Sequence, residues 1–103
     1  MAGYFIANFT IHDAEKFTEY WQNTPFLKDF GARPLVIQRN PEVLKGEPNQ
    51  IVVVIEFESV EAVKNWYESP EYQAALDLWV ASVDGWSVIG SEVMGHDQLN
   101  LTE

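Results

Sequence analysis

Residues 51–59, IVVVIEFES, constrain the fold of this chain more than any other stretch. β-branched and aromatic side chains fill it almost without interruption, the composition of a strand covered on both faces. The two-residue period of a strand puts Ile51, Val53, Ile55 and Phe57 on one face and Val52, Val54 and Glu56 on the other. One face therefore belongs to a core. The second is too apolar for open water, yet carries a carboxylate. A strand of this kind needs neighbours in a sheet and cover above and below it.

The neighbours are legible on either side. YFIANFTIH (4–12) alternates, with Phe5, Ala7, Phe9 and Ile11 opposed to Tyr4, Ile6, Asn8, Thr10 and His12. Asp13 reads as a helix N-cap, followed by a helix with Phe17, Tyr20, Trp21 and Thr24 along one stripe. Pro25 interrupts that helix, and Gly31 closes the segment. RPLVIQRN (33–40) reads as a second strand, kept to an edge by Pro34, and 41–50 as a hairpin-like excursion turning at Gly46 and Pro48. After the 51–58 strand, Ser59 caps a helix presenting Ala62, Val63, Trp66 and Tyr67. SPEYQ (69–73) starts another helix: Ser69 caps it, Pro70 takes its first position, and Tyr72, Leu76 and Trp79 share its buried face. Asp84-Gly85 reads as its end, and WSVIGSEVM (86–94) as the last strand. The order β-α-β-β-α-β predicts an α+β, ferredoxin-like fold, an antiparallel sheet with helices on one face. A single domain is expected over residues 1–94 and a polar tail over 95–103. The apolar second face predicts a homodimer, sheet against sheet.

Charge and composition exclude several functions. Acidic residues outnumber basic ones 16 to 6, for a net charge of −10, so nucleic acid and anionic membranes are poor partners. With no cysteine there is no thiolate ligand or cysteine nucleophile. The two histidines, His12 and His96, match no metal-binding spacing, and neither a phosphate-binding glycine loop nor a G-x-S-x-G elbow is present. No metal and no cofactor is expected. No signal-peptide pattern opens the sequence, and a cytoplasmic location is expected.

Glu56 admits two readings: a satisfied structural carboxylate, or a general acid or base whose pKa is raised by apolar surroundings. His12, at the end of the first strand, is either a surface residue beside Asp13 or an orienting group. The aromatic set Tyr20, Trp21, Trp66, Tyr67, Tyr72, Trp79 and Trp86 is core packing, or the lining of a cleft for a small apolar ligand. In such a cleft Tyr20 and Tyr72 would donate to a carbonyl or enolate, and Asn8 would orient it.

The segments YFIANFTI, Tyr20, Pro25, Gly31, VVVIEFES and WYESPEYQAAL give the chain a close likeness, from about residue 4 to 93, to a known family. It resembles the domain of unknown function 1330 (DUF1330) family, of the dimeric α/β-barrel superfamily. The resemblance implies a ferredoxin-like protomer that dimerises sheet to sheet into a closed barrel. It implies no activity, although relatives in the superfamily include cofactor-free monooxygenases, isomerases and cyclases. Family members often carry Arg-Gly-Gly where residues 37–39 stand, an arginine near Gln50, and two arginines at Trp79 and Val80. Arg39 is the partial substitute here, and Trp79 implies a more apolar pocket. The expected function is binding of a small apolar or aromatic molecule. Cofactor-independent acid/base chemistry of cyclase, isomerase or monooxygenase type would use Glu56, Tyr72 and His12. Asn8, Tyr20, Trp21, Arg39, Trp66 and Trp79 would contact the ligand. The alternative is a non-catalytic homodimeric binding or structural module.

Overall fold

The computed structural model describes residues 2–25 and 27–92. The expected tail with His96, and residues 93–94 of the expected last strand, lie outside the described residues. Strand β1 (Gly3–Ile11) leads to α1 (Ala14–Asn23), a 3₁₀ turn (Leu27–Phe30) and β2 (Arg33–Arg39). Strand β3 (Ile51–Phe57), helices α2 (Val60–Tyr67) and α3 (Pro70–Ser82), and β4 (Val83–Gly90) complete the order. The strands form one antiparallel sheet in the order β2-β3-β1-β4, a ferredoxin-like arrangement.

Local chemistry sets the element ends. Asp13 Oδ1 accepts from the Lys16 amide at 3.1 Å, and Ser59 Oγ from the Ala62 amide at 3.0 Å. Ser69 does two jobs: its hydroxyl accepts from the Tyr72 amide at 3.2 Å and donates to the Trp66 carbonyl at 2.8 Å, joining α2 to α3. Pro25 has no amide proton to continue α1, so the chain leaves the helix at Thr24 in an extended conformation. Pro34 sits on edge strand β2, beside a register shift between Pro34 and Val36.

The core lies between sheet and helices. Phe5, Ala7, Phe9, Ile51, Val53, Ile55 and Phe57 are buried from the sheet side, meeting Tyr20, Val63, Trp66, Tyr72 and Ala75. The opposite face carries Tyr4, Ile6 and Asn8 on β1, Val52, Val54 and Glu56 on β3, Val36 on β2, and Trp86 and Val88 on β4, as the register dictates. Trp86 and Val88 are each 49% exposed there, too much for apolar side chains that belong to a core.

The sheet of one chain is open, with β2 and β4 as edges. Two expectations are corrected. Asp84-Gly85 does not end α3: the helix stops at Ser82, β4 begins at Val83, and both residues pair with β1. The reason is close approach. A Cβ on Gly85 would collide with the Asn8 carbonyl oxygen and lie 2.6 Å from Phe9 Cα, and φ is +151°, so glycine here serves a strand contact rather than a turn. Residues 41–50 form no hairpin, and the described loop contains no strand. It is tied down where the Asn40 amide donates to the Gln50 carbonyl at 2.7 Å.

Candidate functional site

A cavity of about 350 Å³ opens between the helix layer and the sheet. Phe5 and Phe9 of β1 and Val53 and Ile55 of β3 form its floor; Phe17, Tyr20 and Trp21 of α1, Trp66 of α2 and Trp79 of α3 form its walls. The remaining wall is Thr24, Pro25, Leu27 and Lys28. The cavity lies beside the end of α1, where Pro25 cannot continue the helix. Trp21, 55% exposed, and the exposed Lys28 mark the side open to solvent.

The lining is almost entirely carbon and aromatic. Ring pairs pack edge-on, as Phe5 with Trp66 at 5.2 Å between centroids and Phe9 with Trp79 at 5.8 Å, or stacked, as Phe17 with Trp21 at 6.4 Å. The buried Trp66 indole N–H has no acceptor among the described residues and so is an unpaired donor. The polar groups are few. Thr24 Oγ1 donates to the Tyr20 carbonyl at 2.8 Å, which commits its proton and leaves its oxygen able to accept. The Tyr20 hydroxyl lies 2.9 Å from that of Tyr72, both residues being buried. Burial pushes the pKa of each phenol up; for Tyr72 the neighbouring Tyr20 adds to the shift. Both are therefore neutral donors near neutral pH. Two hydroxyls hold two protons, of which one lies between the oxygens. When Tyr72 donates to Tyr20, the Tyr20 proton is left for a ligand oxygen.

Of the residues expected to form a site, Tyr20, Trp21, Trp66 and Trp79 come together in this cavity, and Tyr72 stands behind it against Tyr20 and Trp66. The others lie elsewhere. Glu56 is on the opposite sheet face, 27% exposed, accepting from Arg33 Nε at 3.0 Å and from the Tyr4 hydroxyl at 3.2 Å. That hydrogen bond, with the carboxylate's charge, raises the Tyr4 pKa. Asn8 is on Glu56's face but pairs with Val52, four residues along β3, roughly 13 Å away by strand rise. Its side chain is used by the backbone: Nδ2 donates to the Ile51 carbonyl at 2.8 Å, and Oδ1 accepts from the Asn49 amide at 3.0 Å. His12 faces Asp84 at 3.7 Å in an exposed pair, and Arg39 is exposed on edge strand β2. Neither lines the cavity. Thr24 was legible only as part of the stripe it shares with Phe17, Tyr20 and Trp21, and Leu27 and Lys28 were missed as lining residues. The only signal for those two was Pro25, which announced the break in α1.

Residues 2–89 match the model of a family described as domain of unknown function (DUF1330). The chain belongs to that family. No curated protein matches this DUF1330 chain. Among solved structures it is similar to a protein of unknown function from Rhodopseudomonas palustris, at 16% identity and a TM-score of 0.74, covering 91% of this chain and 84% of that one. It is also similar to a dimeric ferredoxin-like protein of unknown function from Thermobifida fusca, at 15% identity and a TM-score of 0.59, covering 89% and 92%. A third likeness is to SnoaB, a cofactor-independent oxygenase from Streptomyces nogalater, at 16% identity and a TM-score of 0.56, covering 99% and 98%. At these identities the likenesses show the fold.

Proposed function

We propose that this chain binds a small, largely apolar or aromatic molecule in the cavity between its helices and sheet, as a homodimer joined through the open sheet faces. The observation that carries the reading is the cavity itself: a ring-lined space of about 350 Å³, at the small end of ligand pockets, with Tyr20 in its wall. The dimer is supported by the exposed Trp86 and Val88 on the uncovered face and by the dimeric description of the Thermobifida fusca protein.

Binding is better supported than turnover. Among the described residues no carboxylate or imidazole lines the cavity, so a reaction there would draw on the substrate's own reactivity, with the Tyr20 hydroxyl donating to oxygen as negative charge develops. The likeness to a cofactor-independent oxygenase supports that form through the fold alone, and fold does not set chemistry. Glu56, held by Arg33 and Tyr4, has its carboxylate on the face given to the dimer.

Calorimetry with 2-naphthalenemethanol, a neutral two-ring probe, tests the reading. The wild-type chain is expected to bind it saturably. Thr24→Trp, which fills the mouth from a residue already in extended backbone, is expected to weaken binding by more than about tenfold while the circular dichroism stays the same. Absence of saturable heat in the wild type, or indifference to Thr24→Trp, would sink it.

A further inference from the structure

We infer that the cavity selects an apolar or aromatic monocarboxylate, the rings taking its body and Lys28 its carboxylate at the mouth. The inference rests on the reading of the cavity as a ligand site and adds the charge of the ligand.

Among the described residues Lys28 is the one ionisable cation in the lining, and no aspartate or glutamate joins it there. Lys28 makes no ion pair within 4 Å among the described residues, as is true of every lysine and arginine there except Arg33, which meets Glu56. Its place at the cavity lining is what sets it apart. An unpaired ammonium at the rim of an otherwise carbon-lined space is complementary to an amphipathic anion, with an apolar body inward and charge outward. The lysine stem is long and flexible and its head is a compact point charge. It suits a single carboxylate whose position varies with the length of the body behind it.

The charge of the whole chain opposes this choice, which sharpens the inference. A net charge of −10 repels anions in general, so a preference for the acid over its neutral counterpart has to come from a local cation. The pair would be partly exposed. Its worth is that of an exposed ion pair, up to about fivefold in affinity, and salt should screen it.

The experiment compares 2-naphthoate with 2-naphthalenemethanol by calorimetry at neutral pH and low salt, on the wild-type chain, Lys28→Gln and Lys28→Arg. The wild type should bind the acid several-fold more tightly than the alcohol, up to about fivefold. Lys28→Gln should bring that ratio to one or below, and Lys28→Arg should restore it. Salt near about 0.5 M should also bring it toward one. Equal affinities in the wild type, or a preference that survives Lys28→Gln, overturn the anion inference while the cavity reading stands. If neither compound binds the wild type, the cavity reading has failed and this inference falls with it.

Discussion

Two phenols buried against each other, Tyr20 and Tyr72, are the most exacting side-chain arrangement in this protein. Each supplies the other's hydrogen-bond partner at 2.9 Å, both residues being buried. Burial raises both pKa values in the folded chain, while the unfolded chain keeps the ordinary phenol value near 10. For a group whose folded pKa is raised, the stability it contributes is fully present below the unfolded pKa. It is lost as pH climbs from there toward the folded pKa. Above about pH 10 the unfolded state releases these protons and the folded state holds them, so each tyrosine should remove up to about 1.4 kcal/mol of stability per pH unit. Lysines titrate in the same range, so the telling comparison is with Tyr20→Phe/Tyr72→Phe. Urea unfolding between about pH 9 and 11 should show a shallower decline in the double variant. Parallel declines would mean that the hydroxyls are hydrated in the folded protein. The neutrality of the pair also bears on the site: a phenol that stays protonated serves a ligand as a donor, not as a base.

Among the elements, β4 depends on a single glycine. Gly85 lets β1 come so close that any side chain would strike the Asn8 carbonyl and the Phe9 backbone. Gly85→Ala is expected to cost about 3 kcal/mol, from backbone strain and steric conflict together, and to raise amide exchange in β1 near Phe9 and in β4. A loss below about 1 kcal/mol in denaturant unfolding would mean that β4 shifts register without penalty. The same glycine shows what was and was not legible in the sequence. Alternation gave β1 and β3 with their faces, and Asp13, Ser59 and Ser69 marked helix starts, because those signals reside within a few residues of where they act. Asp84-Gly85 looks identical in sequence whether it makes a turn or a close strand contact. The difference lies in β1, some 75 residues away, and no local pattern carries it. The site divides in the same way. Tyr20, Trp21, Trp66 and Trp79 were visible as ring-bearing helix faces. Glu56 and Asn8 drew attention as polar residues in apolar strands, but alternation says only that they share a face. Which face has the empty space depends on how the helix break at Pro25 packs over the sheet, and that is set by tertiary contact.

At the scale of the whole molecule, the uncovered sheet face sets an apolar gain against a charge penalty. Ile6, Val36, Val52, Val54, Trp86 and Val88 offer a contiguous apolar surface on one side of a four-stranded sheet. Covering exposed apolar area is worth roughly 25 cal/mol per Å², before the cost of association is subtracted. Against it, each chain brings a net charge of −10, so two chains repel when screening is weak. The Arg33–Glu56 pair moderates this locally, since it places a neutralised carboxylate, rather than a bare one, on the face. The proposed dimer should therefore tighten as salt rises, the reverse of an interface held by complementary ion pairs. Val88→Glu provides the control. Its position is half exposed in the single chain, so the change should leave protomer stability within about 0.5 kcal/mol. In a sheet-to-sheet dimer it would bury an unpaired charge and should shift the protein toward monomer. Sedimentation equilibrium at two salt concentrations, on wild type and Val88→Glu, reads both effects. A wild-type dimer that weakens with salt, or one indifferent to Val88→Glu, would place the interface elsewhere. The apolar face would then need a partner other than a second copy of this chain.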